Sequence, residues 1–214
     1  MTNLRAFLRE VRDNFDEVGA VWPSSRFLGQ AILAPLTQPR APMHVLEVGG
    51  GGGALTQQLA ELLQPGDVLD VIEINSRLAQ ACRLRLQRGG LLEQPGITIR
   101  LINDDLLAHN YDTQYDYIVS TLPLTFFPAA KARAILQRLT DLLKPGGVFS
   151  YVKYLFWYRV NRLFSCAAKT EQINGALSVI KEFDDKFWSH GRIVLINMPP
   201  ARVNSLRRPL TSGG

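Results

Sequence analysis

The sequence predicts an α/β fold in which a mostly parallel sheet of seven strands carries helices on both faces. From Met43 onward, short β-branched or apolar runs alternate with amphipathic stretches, the pattern of parallel strands joined by helices. A run of glycines, residues 49–53, directly follows the first of these strands. Two further strands close together near the C-terminus add an antiparallel pair to the parallel run.

Each element is predicted from its local pattern. Residues 3–18 place apolar side chains on one helical face, and a short second helix containing Phe27 and Leu28 follows, with Ser24 or Ser25 as its cap. Strands are expected at 43–48, 68–73, 97–102, 117–121 and 148–151, and helices at 54–63, 76–88, 129–143 and 155–168. The last two strands are expected at 177–188 and 191–198, joined tightly around His190-Gly191.

The composition is that of a folded protein in a reducing compartment. Apolar residues make up 46% of the 214 residues, enough for one sizeable domain. The two cysteines, Cys82 and Cys166, are far apart and have no neighbouring cysteine or histidine, which argues against a disulfide framework and a structural metal. The charged N-terminus lacks the apolar core of a secretion signal, and no apolar run could cross a bilayer, so we expect a cytoplasmic location.

The net charge of +5 is unevenly distributed. Between Lys131 and Lys169, eight basic residues stand against one acid, Asp141, which leaves a local charge of +7. Such a surplus favours an anionic partner, either nucleic acid or a phospholipid surface, but an ordinary solvated basic face would look the same.

The glycine run and a set of acids predict a cofactor site. Glu73 ends the second strand, 20 residues beyond the last glycine, where a carboxylate can accept both hydroxyls of a ribose. Glu47 lies just before the glycines, and the acidic pair Asp104-Asp105 follows the third strand, where an adenine amino group would be recognised. Ligands of open α/β sheets bind beyond the carboxyl ends of the strands, where these residues fall, although a nicotinamide cofactor would fit the glycines and Glu73 equally well.

Three segments carry a resemblance to a known family. Residues 19–28, GAVWPSSRFL, are similar to G-A-V-x-P-S-S-R-F-L, and residues 120–128 resemble S-G-L-P-L…F-P with Thr121 where glycine is usual. Residues 197–203 resemble N-x-P-P-A-x-V. On these segments, and across residues 43–151, the sequence resembles the class I methyltransferases, and within them the bacterial phospholipid N-methyltransferases.

The resemblance implies a Rossmann-like seven-stranded methyltransferase sheet whose last strand is antiparallel, and no metal. It also implies S-adenosyl-L-methionine as the cofactor and S-adenosyl-L-homocysteine as the product. The residues expected to bind the cofactor are Glu47, Gly49, Gly51, Gly53, Glu73, Ile74, Asp104, Asp105 and Ser120.

The implied reaction is N-methylation of the phosphatidylethanolamine head group, towards the mono- and dimethyl lipids and phosphatidylcholine. Tyr151 and Tyr154 are candidates for the head-group wall or the proton acceptor, and would equally well be packing aromatics. Arg26, beside Ser24 and Ser25, is the candidate for the substrate phosphate, unless it pairs with a neighbouring acid. The sequence does not exclude another amine lipid, such as an ornithine lipid.

A lipid substrate implies peripheral association with the anionic inner face of the cell membrane. Residues 3–18 and the aromatic, arginine-containing segment 155–164 are the candidates for docking, and either would equally be a helix packed on the sheet. We therefore predict an N-terminal helical segment, 1–40, that covers the cofactor site, a methyltransferase domain at 41–204, and a flexible tail at 205–214.

The strongest alternative is an RNA adenine-N6 dimethyltransferase. Such enzymes carry N-L-P-Y or N-P-P-F/Y after the fourth strand, where this chain has Thr121-Leu122-Pro123-Leu124. Phe126 and Phe127 could stack on a base only from a shifted position, so no nucleic-acid partner is expected. A small-molecule methyltransferase would not explain segment 155–164, and a non-catalytic membrane-binding module would not explain the cofactor residues.

Overall fold

The computed structural model describes residues 26–154, 167–195 and 200–210. Its strands are β1 (His44–Val48), β2 (Val68–Ile72), β3 (Thr98–Ile102), β4 (Tyr115–Ser120), β5 (Leu143–Tyr154), β6 (Trp188–Val194) and β7 (Ala201–Arg207). Its α-helices are α1 (Arg26–Ile32), α2 (Ala54–Ala60), α3 (Ser76–Arg88), α4 (Ala129–Asp141) and α5 (Ala167–Lys186). Short 3-10 turns lie at Ala34–Thr37, Leu91–Glu93 and Leu124–Phe126.

The seven strands form one mixed sheet in the order β3-β2-β1-β4-β5-β7-β6. Strands β1 to β5 are parallel, β7 is antiparallel to β5, and β6 is antiparallel to β7. The carboxyl ends of β1 to β5 and of β6 therefore lie along one edge, which we call the carboxyl edge. The predicted fold class, with an antiparallel last strand, is confirmed.

The alternation of side chains along the strands divides the core into two layers. On β4, Ile118 packs with the layer under α4 and α5, whereas Tyr117 and Val119 pack with the layer under α1 and α2. All three side chains are completely buried. Apolar side chains on both faces of a strand require helices on both sides, because each face must be removed from water.

Helix α1 belongs to the core of the domain. Leu28 and Ile32 are each 1% exposed and pack against the sheet layer of β5, β6 and β7. The Tyr117 hydroxyl donates a hydrogen bond to the Ile32 carbonyl oxygen, which ties the end of α1 to the centre of the sheet. Residues 1–25 of the predicted N-terminal segment, including helix 3–18, lie outside the described residues.

The C-terminal prediction is wrong in its placement of elements. Residues 177–186 are the second half of α5, not a strand, and they bury Val179, Ile180 and Phe183 on one helical face. His190 and Gly191 lie inside β6, paired with Ser205 and Asn204, so the turn is not there. The chain reverses instead between the end of β6 and the start of β7.

The tail also begins later than predicted, since residues 205–207 complete β7. Beyond the strand, Arg208 exchanges backbone hydrogen bonds with Gly146 and Gly147, at 3.0 and 2.9 Å. These bonds hold the start of β5, which begins at Leu143 rather than near Val148. The register between β4 and β5 shifts between Tyr115 and Tyr117. None of the described helices has the length and apolar composition of a membrane span.

Candidate functional site

The glycine run forms a tight loop at the carboxyl end of β1. Gly49, Gly51 and Gly53 adopt φ angles of 82°, 53° and 81°, in the left-handed region that side chains disfavour. The Gly49 N–H donates to the Ile72 carbonyl at 2.9 Å, and the Gly53 N–H donates to the Gly50 carbonyl at 2.9 Å. The loop therefore folds back over the ends of β1 and β2 before α2 begins.

Glu73 fastens this loop to the next crossover. One carboxylate oxygen, Oε2, accepts the Gly51 N–H at 2.9 Å, and the other, Oε1, accepts the Asn75 N–H at 2.8 Å. The Asn103 amide donates to the Glu73 carbonyl at 2.7 Å, so the residue is fixed on both sides. Each carboxylate oxygen has two lone pairs, so both retain capacity for a ligand hydroxyl.

Asn75 was missed as a residue of this site. Its side chain caps α3 by accepting the N–H groups of Arg77 and Leu78 at 3.0 and 3.3 Å. The signal was present in the sequence, since an asparagine directly before a predicted helix is a typical N-cap. Half-buried Ile74 lies between Asn75 and Glu73 on the same turn.

Glu47 is completely buried beneath the loop, at the end of β1. Within the described part of the chain, neither carboxyl oxygen has a hydrogen-bond partner. Burial, opposed in part by the nearby Thr56 hydroxyl and reinforced by the negative charge of Glu73, raises the pKa of Glu47 to about 8. The group is therefore mostly protonated at neutral pH, and it is a buried polar group without a hydrogen-bond partner among the described residues.

After β3, the two acids have different environments. The Asp104 side chain is 47% exposed and its Oδ2 lies 3.0 Å from Nδ1 of His109. Hydrogen bonds from His109 and from the Asp105 N–H lower the pKa of Asp104, so it is ionised at neutral pH. Asp105 instead turns back on the chain, accepting the Leu107 N–H at 2.9 Å. Only Asp104 presents its carboxylate outward, and His109, which orients it, was missed by the sequence analysis.

The segment after β4 packs directly on the glycine loop. Buried Ser120 accepts the Leu122 N–H at 3.2 Å, so its hydroxyl shapes the segment from below. The Thr121 hydroxyl donates to the Gly49 carbonyl at 3.0 Å, and a Cβ at Gly49 would lie 3.1 Å from the Leu122 side chain. Thr121, which departs from the usual glycine, thus adds a hydrogen bond between the two loops.

The structure places Tyr151 in the core rather than in a substrate cavity. Its ring is completely buried, and its hydroxyl donates to Asp184 Oδ1 at 2.6 Å. Burial raises the pKa of Tyr151 far above its usual range, and the negative charge of Asp184 raises it further. A phenol that already donates and resists ionisation does not accept a proton at neutral pH, so the suggested role of Tyr151 as a base or head-group wall does not fit this position.

The remaining candidate residues are only partly placed. Tyr154 is the last residue of β5, and Arg26 is the exposed first residue of α1. Ser24, Ser25 and the side chain of Tyr154 lie outside what the structure describes. The roles predicted for these residues stay predictions.

The glycines of the loop are not equivalent, which gives a stability prediction. A Cβ at Gly53 would lie 2.9 Å from the Cys82 sulfur and 3.0 Å from its Cα, on a backbone with φ +81°, whereas a Cβ at Gly52 has nothing within 4 Å. We expect Gly53→Ala to lower the free energy of unfolding by roughly 2–4 kcal/mol, from left-handed strain and overpacking together. Gly52→Ala should change it by less than about 0.5 kcal/mol. Urea unfolding without cofactor measures both, and equal effects of the two variants would contradict the loop geometry.

Comparison with known proteins agrees with this site. A family model described as a methyltransferase domain matches residues 46–149. The ornithine lipid N-methyltransferase of Singulisphaera acidiphila is 24% identical over 157 residues, which cover 73% of this chain and 81% of that protein.

Two solved structures in complex with S-adenosyl-L-homocysteine share the fold. The N-methyltransferase NodS from Bradyrhizobium japonicum WM9 superposes with a TM-score of 0.61 at 17% identity, covering 96% of this chain and 97% of that one. An O-methyltransferase from Bacillus cereus gives a TM-score of 0.62 at 15% identity, covering 95% and 91%. The glycine loop held by Glu73 and the seven-stranded sheet agree with the family model: residues 46–149 match a methyltransferase domain, on the fold shared with these two methyltransferases.

Proposed function

We propose that this enzyme transfers the methyl group of S-adenosyl-L-methionine to the amine of phosphatidylethanolamine at the surface of a membrane. The observation that carries the substrate class is the likeness, over most of both chains, to a protein named for N-methylation of an ornithine lipid. Both lipids present a primary amine at the bilayer surface. The motif resemblance around residues 19–28 and 197–203 favours phosphatidylethanolamine between the two.

In this proposal the cofactor lies across the carboxyl edge. Its ribose hydroxyls would donate to the Glu73 carboxylate, which is already held in position by two backbone N–H groups. Asp104, with its exposed carboxylate, would hold the adenine end, and the glycine loop, with Glu47 buried beneath it, would hold the amino-acid end. The cofactor fits these residues because the loop carries no side chains and Glu47 has no partner among the described residues.

The bound sulfonium supplies an electrophilic methyl group. The protein then has to position a lipid amine in line with it and to remove water from the path. An ammonium cannot attack, so a proton must leave the head group before transfer. Because the hydroxyl of Tyr151 is committed to Asp184, we assign that proton to Tyr154 or to solvent.

No observation favours the RNA alternative. Of the two aromatics that could stack on a flipped base, Phe127 is 1% exposed and packs in the core under α4 and α5, and Phe126 is half-buried. The segment after β4 has Thr121 where RNA adenine methyltransferases place an asparagine and Leu124 where they place an aromatic, and the Thr121 hydroxyl is bound to the Gly49 carbonyl. Cytoplasmic location with peripheral attachment to an anionic membrane forms part of the same proposal, with residues 3–18 or 155–164 as the docking segment.

Transfer of labelled methyl tests the substrate directly. We expect label from S-adenosyl-L-methionine to appear in the lipid fraction of phosphatidylethanolamine vesicles, and chromatography of the products counts the methyl groups added. Parallel reactions contain ornithine-lipid vesicles, phosphatidylcholine vesicles as a control without a free amine, and unmodified RNA. Label in ornithine lipid alone would move the proposal to that lipid, and label in RNA alone would refute a lipid substrate while leaving the cofactor site intact.

A further inference from the structure

Two cations lie directly opposite each other at the carboxyl edge. Lys153 of β5 and Arg202 of β7 are register partners on neighbouring antiparallel strands. Residues paired in this way have their Cβ atoms about 5 Å apart on the same face of the sheet. Like charges in that arrangement destabilise a sheet, so the pair does not serve stability.

Asp184 pairs with only one of the two cations, Lys153. Asp184 accepts the Lys153 ammonium at 2.6 Å, the Tyr151 hydroxyl at 2.6 Å and the Asn204 amide at 3.1 Å. Arg202 is exposed and makes no hydrogen bond or ion pair with any residue the structure describes. Among these three side chains, two cations against one acid leave a charge of +1, carried by the exposed guanidinium of Arg202.

A second observation at the same place points to a ligand. Asn204 follows Arg202 on the same face of β7 and is 4% exposed. Its amide nitrogen donates to Asp184 and lies 3.4 Å from the Tyr151 hydroxyl, which fixes the orientation of the side chain. Its oxygen, Oδ1, is buried and has no donor among the described residues. Such an orphan acceptor indicates a donor from outside the described residues; a phosphate diester carries no donor, so at this site a water that hydrates the phosphate would supply it.

The position suits a substrate beside the cofactor. Tyr151 pairs with Ser120 at the end of β4, so Lys153 and its partner Arg202 extend just beyond that end. Neighbouring strands are about 4.8 Å apart, which puts β5 and β7 about 5 and 10 Å from β4. An arginine side chain spans much of that distance, and an ethanolamine phosphate spans the remainder. A phosphate bound here would lie beside the end of β4, next to the segment that packs on the glycine loop.

We propose that Arg202, with Lys153, binds the phosphate diester of the phosphatidylethanolamine head group. The guanidinium lies over Gly191, where a Cβ would come within 2.3 Å of Nη2, so only a glycine at position 191 leaves room for it. A guanidinium pairs with two phosphate oxygens at once, and the lysine adds a point charge. This inference rests on the proposed function, and it is independent of the role predicted for Arg26.

The test compares Arg202→Gln with Arg192→Gln. Arg192 is exposed on the adjacent strand β6. Its neighbour Ile193 is the register partner of Arg202, so the Arg192 side chain lies on the opposite face of the sheet. Methyl transfer is measured on phosphatidylethanolamine in micelles of a neutral detergent, so that attraction to an anionic surface plays no part. We expect Arg202→Gln to raise KM for the lipid about tenfold, the loss expected for one charged hydrogen bond. Its kcat and cofactor affinity should stay within about twofold of wild type, as should every parameter of Arg192→Gln.

If KM rises equally in both variants, the lipid is attracted by overall positive charge and the proposed phosphate subsite is wrong. If KM does not rise in Arg202→Gln, the subsite is also wrong. If wild type methylates no lipid, the proposed function fails separately, and calorimetry with glycerophosphoethanolamine then decides the subsite. Binding to wild type that Arg202→Gln loses and Arg192→Gln retains would support it. Absence of binding to wild type would overturn it.

Discussion

Replacing Glu73 with alanine is expected to weaken the binding of S-adenosyl-L-methionine by at least about a hundredfold, because hydrogen bonds to a charged group are each worth about 1.5–3 kcal/mol. The variant loses the acceptor for both ribose hydroxyls and also releases the N–H groups of Gly51 and Asn75. The loop that should lie under the cofactor therefore loses its attachment to α3 at the same time. Isothermal titration calorimetry measures the affinity, and thermal unfolding checks that the variant is folded at the temperature used.

Two controls separate ligand contact from loop support. Glu73→Gln keeps the size and one acceptor oxygen but turns an amide nitrogen towards one of the two backbone donors, so its affinity should fall between wild type and alanine. Glu61→Ala removes an exposed acid at the end of α2 and should bind the cofactor like wild type. If Glu73→Ala binds with wild-type affinity, the ribose is not at Glu73, and the proposed placement of the cofactor is wrong.

The parts of the fold that the sequence predicted well are those in which local signals agree with the tertiary structure. Helix α3 begins and ends at the predicted residues, because Asn75 caps it and Gly89 and Gly90 follow it. Strand β1 lies within one residue of its prediction, since a buried apolar run is followed directly by glycines. The loop conformation was also foreseeable, because a ligand loop between strand and helix demands residues free to adopt positive φ.

The C-terminal third was not foreseeable in the same way. In residues 177–188 the β-branched Val179 and Ile180 favour a strand, but the helical spacing of Ile180, Phe183 and Phe187 matches the face that packs in the core layer with α4. Tertiary packing overrides propensity in such segments. The same holds for Tyr151, since the sequence shows an aromatic near a strand end and not which face of the strand it occupies. Its inward position depends on Asp184, which lies 33 residues further along.

Unfolding experiments at two pH values are expected to show that Glu47 destabilises the folded protein in alkaline solution. The pKa of this carboxyl is near its ordinary value of 4.5 in the unfolded chain and about 8 in the folded one. A raised pKa means that the folded state holds the proton more tightly, so stability is lost as pH rises from about 4.5 through about 8 and then levels off. Glu47→Gln keeps the shape without the charge. In the absence of cofactor it should match wild type at pH 5 and exceed it by roughly 3–5 kcal/mol at pH 9. Equal stability of the two proteins at pH 9 would mean that the pKa of Glu47 is not raised in the folded protein.

The same residue predicts a proton linked to cofactor binding. If the ammonium of S-adenosyl-L-methionine lies over Glu47, it stabilises the ionised carboxylate and lowers its pKa. Because Glu47 is mostly protonated at pH 7 before binding, association should release close to one proton. Calorimetry in two buffers of different ionisation enthalpy measures that number, and Glu47→Gln should release none. Affinity for the cofactor should accordingly rise between pH 6 and pH 8 in wild type only. If wild type binds the cofactor without releasing a proton, the ammonium lies elsewhere, and Glu47 does not take part in cofactor binding.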